Sequence, residues 1–272
     1  MKCPVCFRHC DLKEGQVGFC KARINQGNKI VSKNYGLATS LALDPIEKKP
    51  LKEFYPGSMI LSVGSYGCNL RCPFCQNYEI SQFNLEKKSK YISPETLVKE
   101  AIDLIPEGNI GIAFTYNEPM VGYEYVRDCS KLAKSYHLKT VLVTNGCSSL
   151  DALKEILPYI DAMNIDLKGF NKEYFDYIGS DLEMTKAFIK ASYEARIHIE
   201  LTTLIVPKHN DSVSDMENEA KWIASIDKNI PLHITRYFPM YKETTAMTPL
   251  ETMDKLITVA KKYLNSVYEG NI

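Results

Sequence analysis

The chain of 272 residues is 45% hydrophobic and 24% charged, the composition of a globular protein with a sizeable core. Its 33 lysines and arginines balance 33 aspartates and glutamates, so no overall basic field exists to hold nucleic acid. No stretch approaches the roughly 18–20 uninterrupted apolar residues of a membrane span, and Met1-Lys2-Cys3-Pro4 opens no signal-like apolar run. A cytoplasmic protein with neither membrane nor nucleic-acid partner is expected.

The first feature along the chain is Cys3, Cys6, Cys10 and Cys20. Nine cysteines, an odd count with seven of them in two tight groups, read as metal ligands rather than disulfides in a reducing compartment. Cys3-Pro4-Val5-Cys6 is a two-residue-spaced knuckle, Cys10 and Cys20 complete four thiolates, and Gly15 and Gly18 suit a turn that returns Cys20. Four thiolates close a coordination sphere, which suits a structural or electron-carrying site. Zinc and a second iron–sulfur cluster both fit. From 24 to 56 the chain lacks periodicity, carries Pro45, Pro50 and Pro56, and reads as turns and extended connection, long enough to be functional or a tether. Residues 1–57 are therefore expected to form a cysteine-rich metal-binding segment with an extended connection, and 58–272 a separate domain.

After residue 58 short apolar runs alternate with amphipathic stretches. Strands are predicted at 59–63, 110–114, 140–143, 162–167, 197–205 and 232–237, with helices at 94–105, 122–136, 150–157, 181–195 and 211–226 between them. Ser93-Pro94 starts one helix as cap and first-turn proline; Thr248-Pro249-Leu250-Glu251 repeats this with a capping-box glutamate and opens a last helix to about Leu264. Six strand–helix units predict an α/β fold, a partial (βα)6 TIM barrel with an N-terminal cysteine-rich extension.

Candidate chemistry gathers at the predicted strand ends. The first strand runs into Cys68, Cys72 and Cys75, spaced C-x3-C-x2-C. Three thiolates suit an iron–sulfur cluster with one iron open to a small molecule; a zinc knuckle lacking its fourth ligand and plain packing are the alternatives. The second strand ends in Thr115-Tyr116-Asn117-Glu118-Pro119, where Glu118 suits a ligand ammonium or simply a helix N-terminus. The third ends in Thr144-Asn145-Gly146. Alternation puts Asn164, Asp166 and Lys168 on one face of the fourth strand, His198, Glu200 and Thr202 on one face of the fifth, and His233, Thr235 and Tyr237 on one face of the sixth. An inner face this polar, where a packed barrel carries branched apolar residues, implies a bound ligand. Cys129 and Cys147 read as structural.

These residues resemble the radical S-adenosylmethionine superfamily, through Cys68-x3-Cys72-x2-Cys75 with Phe74 before the third cysteine. Within it the chain is similar to the pyruvate formate-lyase-activating-enzyme-like group, and more narrowly to the radical component of the AmmeMemoRadiSam system. The narrower likeness rests on the N-terminal cysteines, on Asp44-Pro45-Ile46-Glu47-Lys48-Lys49-Pro50-Leu51, on Cys75-Gln76-Asn77, on Thr115–Pro119 and on Arg236-Tyr237-Phe238-Pro239. The resemblance implies a [4Fe–4S] cluster on Cys68, Cys72 and Cys75 and S-adenosylmethionine chelated at its open iron. It further implies reductive cleavage to a 5′-deoxyadenosyl radical, and hydrogen abstraction from a protein or small-molecule substrate, glycyl-radical-enzyme activation being the most familiar form. By position, Glu118 meets the methionyl ammonium and Asp166 and Lys168 serve the carboxylate. Thr144, Asn145, Tyr116, Asn117, Thr202 and His233 line the pocket, and Phe74 and Asn77 flank the adenosyl end.

A one-electron donor such as a flavodoxin or ferredoxin is the implied partner. Three features depart from the pattern. Val143 stands where activating enzymes usually carry an aspartate associated with a cation, and Tyr241 stands where many have a histidine. The chain also stops at Ile272 without a cysteine-bearing tail, which leaves any N-terminal site to be completed by the N-terminal cysteines. The alternatives are modification of a non-glycyl substrate and, in a different class, a non-catalytic iron–sulfur electron carrier.

Overall fold

The computed structural model describes residues 1–271. Strands β1 (Arg23–Asn25) and β2 (Ile30–Ser32) form a hairpin, and β3 (Leu37–Ala38) pairs with β6 (Lys90–Tyr91). The main sheet comprises β4 (Ser40–Pro45), β5 (Met59–Gly64), β7 (Asn109–Phe114), β8 (Lys139–Thr144), β9 (Ala162–Asp166), β10 (His198–Ile205), β11 (Leu232–Arg236) and β12 (Val267–Gly270). The helices are α1 (Tyr78–Gln82), α2 (Pro94–Asp103), α3 (Tyr123–Ser135), α4 (Leu150–Ile156), α5 (Lys172–Ile178), α6 (Leu182–Glu194), α7 (Val213–Asp227) and α8 (Leu250–Ala260).

Within the main sheet, from β5 to β12, every strand is parallel to the one before it and lies beside it, so each crossover steps in the same direction around the sheet. Winding without reversal curls a twisted parallel sheet toward a barrel rather than a two-sided open sheet. The six predicted strands are all present. Two more flank them. β4, read from sequence as turns and extended chain, pairs antiparallel with β5, so the sheet takes strands from both sides of residue 57. Its edge position tolerates the terminal Pro45. β12 closes the other edge. Ser93 caps α2 as predicted, accepting from the Thr96 N–H. Thr248 does not cap α8; its hydroxyl donates to the Ile205 carbonyl at 2.6 Å, the N-cap falls on Pro249, and the helix starts at Leu250.

Inward positions in the lower half of the barrel are small or medium: Ala113, Val141 and Ala162. The space they leave is filled by the chain that follows β4. Ile46, Leu51 and Phe54 pack against those three residues and Ile60. This plug is held by polar groups as well. The Glu200 carboxylate accepts the backbone N–H of Lys52 at 2.9 Å and of Glu53 at 2.8 Å, and Asn164 Nδ2 donates to the Pro50 carbonyl at 2.8 Å. The outward faces of the strands pack against the helices in one large apolar core that includes Ile112, Leu142, Ile165, Leu201 and Ile234. No helix among the described residues is long and apolar enough to cross a membrane.

Candidate active site

The site is built at the C-terminal ends of the strands. Beyond β5 the chain turns through Gly67 into Cys68–Cys75, and the backbone carbonyls of this loop are held by arginines. Arg71 Nη1 donates to the Cys68 and Leu70 carbonyls at 2.9 and 2.7 Å, and Arg8 Nε donates to the Asn69 carbonyl at 2.6 Å. Asn117 joins this loop to the end of β7: its Oδ1 accepts the Ser65 N–H at 2.9 Å and its Nδ2 donates to the Gly67 carbonyl at 3.0 Å. On the far side, the Lys242 and Glu243 N–H groups both donate to the Pro73 carbonyl, and Tyr241 stacks on Tyr78 with ring centroids 4.5 Å apart. Tyr241, where a histidine was the comparison residue, thus serves as a clasp on the cysteine loop.

Cys68, Cys72 and Cys75 line a cavity of about 370 Å³, large enough for a ligand of cofactor size. Its walls include Phe74, Asn77, Tyr116, Asn117, Glu118, Thr144, Asn145, Asp166, Lys168 and Thr202, so nearly all the expected pocket residues meet here. His233 stands apart. Its Nε2 lies 2.6 Å from Glu200 Oε2 and it is absent from the cavity wall. His198 Nε2 lies 3.0 Å from Glu200 Oε1. The polar face His198–Glu200–His233 therefore braces the plug, and its charge is spent on backbone N–H groups rather than on a ligand. Burial works to raise the Glu200 carboxyl, but these four hydrogen bonds outweigh it and hold the group at about 2.

Glu118 is fixed on three sides. Oε1 accepts the Met120 N–H at 3.0 Å and the Thr144 hydroxyl at 2.7 Å; Oε2 accepts the Asn145 N–H at 2.8 Å. A carboxylate has about four acceptor sites, so one remains, on Oε2. Burial is the main cause that lifts its pKa to about 7. Lys168 Nζ and Asp166 Oδ2 form an ion pair at 2.7 Å in the cavity wall. Burial acts against the Lys168 charge, but Asp166 and the cysteines outweigh it and the ammonium is held above its ordinary range. Val143 presents a valine to the cavity where a cation ligand would be needed.

The loop suits an iron–sulfur cluster by the chemistry of its donors. Cys68 Sγ accepts from the Leu70 N–H at 3.4 Å and from Asn145 Nδ2 at 3.8 Å, two donors aimed at sulfur as a thiolate requires. Burial pushes the Cys72 thiol up to about 12, and a bound metal reverses that by deprotonating it.

Sequence reasoning did not place Lys48 and Pro50, which enter the cavity wall from the plug. The signal was the proline-bracketed run Asp44–Leu51. Asp44 holds it in place, taking Lys49 Nζ at 2.8 Å and the Tyr116 hydroxyl at 2.6 Å. Tyr116 reaches there from a left-handed backbone (φ 71°), and Gly64 leaves room for its ring. Cys129 is buried in the main core and Cys147 packs beside the cysteine loop.

The N-terminal cysteines lie behind this loop. Cys3, Cys6 and Cys20 are buried, and Cys10 is partly so. The Cys3 N–H donates to the Cys10 carbonyl at 2.9 Å and the Val5 carbonyl accepts the Ser149 N–H at 2.8 Å, which fixes the knuckle to the barrel. Burial, followed by the nearby Cys20, Cys3 and Cys10, raises Cys6 to about 12. Among the described residues no three His, Cys, Asp or Glu side chains converge tightly enough to grip a single metal ion.

A parallel partial barrel carries three thiols, a buried carboxylate and an ion pair on one cavity at its strand ends, an arrangement suited to holding a cofactor. Residues 62–223 match the Radical SAM superfamily, and the chain belongs to it. An uncharacterized protein of Methanocaldococcus jannaschii is 39% identical over all of this chain and 81% of its own length. The pyruvate formate-lyase-activating enzyme of Clostridium pasteurianum is 26% identical over 60% of this chain and 67% of its own. In fold, a radical SAM methyltransferase from Sphaerobacter thermophilus superposes with a TM-score of 0.62 at 12% identity, covering 79% of this chain and 67% of that one. The family implies a [4Fe–4S] cluster and S-adenosylmethionine, and the protein is an enzyme similar to the activating enzymes.

Proposed function

We propose that this chain binds S-adenosylmethionine beside a [4Fe–4S] cluster on Cys68, Cys72 and Cys75 and abstracts hydrogen from a protein substrate, with glycyl-radical activation as the specific form. The observation that carries this reading is the meeting of three thiols, the Glu118 carboxylate and the Asp166–Lys168 ion pair on one cavity. When bound, the cluster and S-adenosylmethionine supply one-electron cleavage of the sulfonium to a 5′-deoxyadenosyl radical.

The protein's own part is to hold, orient and shield. Glu118 keeps one acceptor site on Oε2 for an ammonium, already oriented by Thr144, Asn145 and Met120. Lys168, steadied by Asp166, offers a charged donor for a carboxylate, a stronger hydrogen bond than a neutral one. Phe74 and Asn77 belong to the same cavity wall, and the adenosyl end is expected beside them. The plug closes the barrel from below, so a reactive intermediate is shielded from water on that side. Electrons come from a flavodoxin- or ferredoxin-type donor in a cytoplasmic setting.

The protein-substrate reading rests on the activating-enzyme relatives, and its test is isotopic. The reconstituted enzyme is incubated with a fully deuterated cell extract separated into macromolecules and small molecules. Deuterium recovered in 5′-deoxyadenosine from the macromolecular fraction supports the proposal. Deuterium from the small-molecule fraction alone transfers the reading to modification of a non-glycyl metabolite.

A further inference from the structure

The four N-terminal cysteines and the cysteine loop are joined at three points. Arg8, between Cys6 and Cys10, donates to the Asn69 carbonyl. Arg71 holds the Cys68 carbonyl with Nη1 while its Nη2 donates to the carbonyl of Phe19, the neighbour of Cys20, at 2.5 Å. Gly67 lies so close to the Cys20 carbonyl oxygen that a Cβ at this position would collide with it. Cys68 follows Gly67 directly, about 3.8 Å further along the chain. The Phe19 ring sits between the two guanidinium groups, 3.5 Å from Arg8 and 3.9 Å from Arg71, and is partly exposed. The four-cysteine group therefore abuts the cavity loop directly, and the exposed Phe19 ring marks where this junction meets the protein surface.

A zinc site gathers its thiolates about 2.3 Å from one ion. Neither cysteine set of this chain is drawn together to that extent. In a polynuclear cluster each thiolate binds its own iron, so its ligands stand further apart than those around a single ion.

We propose that Cys3, Cys6, Cys10 and Cys20 hold a second iron–sulfur cluster that relays electrons across the Cys20–Gly67 contact to the cluster on the cavity loop. One electron enters from a low-potential one-electron donor at the Phe19 surface and one leaves toward the loop, with no bond made and no proton moved. The relay role rests on the radical reading of the cavity; occupancy of the four-cysteine site does not.

The test begins with the Cys68→Ala/Cys72→Ala/Cys75→Ala chain, reconstituted anaerobically with iron and sulfide and assayed for metals. About four irons and four sulfides per chain are expected to remain. One zinc, or no metal in a folded chain, overturns the site. Should that variant fail to fold, Cys6→Ser/Cys20→Ser is compared with the unaltered protein, and loss of about half the iron is expected; undiminished iron overturns the site. The relay is read in the unaltered protein reduced with dithionite. Electron paramagnetic resonance should show signals broadened by coupling between two reduced clusters, whereas two independent sharp signals overturn the relay. Absence of 5′-deoxyadenosine formation alongside a loaded second cluster contradicts the cavity reading and leaves the site standing.

Discussion

Asn145 Nδ2 donates to Asn69 Oδ1 at 2.9 Å, a buried amide pair that fastens the cysteine loop to the end of β8. Asn69 is fully buried and spends its own Nδ2 on the Cys147 carbonyl at 2.7 Å. Asn69→Ala leaves two buried polar groups unpartnered, and a lost partner costs about 1–3 kcal/mol. Urea denaturation should show that loss, and reconstituted protein should hold markedly less iron. Stability and iron content both unchanged would remove this pair from the account.

Glu200 makes a second test, on stability alone. Its folded carboxyl is held at about 2, below the roughly 4.3 of an unfolded glutamate. The unfolded chain therefore binds the proton first as pH falls. The stability Glu200 contributes is present in full above the ordinary carboxylate range and is lost between about 4 and 2. Glu200→Ala leaves the Lys52 and Glu53 N–H groups without their acceptor and should destabilise by about 3–5 kcal/mol at neutral pH, as for other broken buried charge networks. Thermal melts across that pH window check both statements.

Glu219 behaves in the opposite sense. It is buried on α7, and burial, its largest influence, raises its pKa to about 8. Thr203 has one hydroxyl proton but faces two acceptors, the Leu167 carbonyl at 2.8 Å and Glu219. A protonated Glu219 donating to Thr203 resolves the count. Because the folded state keeps this proton longer than the unfolded state, stability should fall as pH rises from about 4.5 to about 8. Glu219→Gln should flatten that decline and raise the melting temperature at pH 9. A melting curve that keeps the slope in the variant assigns it elsewhere.

At the cavity, Lys168→Met removes the charged donor expected for a ligand carboxylate. Such bonds contribute about 1.5–3 kcal/mol, roughly 10- to 150-fold in affinity. Calorimetric titration of S-adenosylmethionine into the reconstituted variant should show weakening of that size, and unaltered affinity would remove Lys168 from the pocket.

Much of this was legible in the sequence. Strand alternation assigned the inward faces of β9, β10 and β11, because each strand has one face on the helices and one on the barrel interior. What alternation does not reveal is what fills that interior. His198, Glu200 and His233 share a face that suggested a ligand, yet Glu200, itself held by the two histidines, takes the backbone N–H groups of residues 52 and 53, some 150 positions earlier in the chain. The plug itself carries no periodic pattern, since it is neither helix nor strand where it enters the barrel. β4 was missed for a related reason: an edge strand bounded by Pro45 carries a weak signal. The cysteine spacing and the polar strand ends carried the site because parallel strands in sequential order set their C-terminal ends side by side on one rim.

The most direct measurement is the fate of S-adenosylmethionine. Protein reconstituted without oxygen and reduced with dithionite should convert it to 5′-deoxyadenosine and methionine, and Cys72→Ala should abolish the conversion. A fully loaded, reducible cluster that leaves S-adenosylmethionine intact, even with the deuterated extract present, would contradict a radical-generating enzyme and favour an electron carrier.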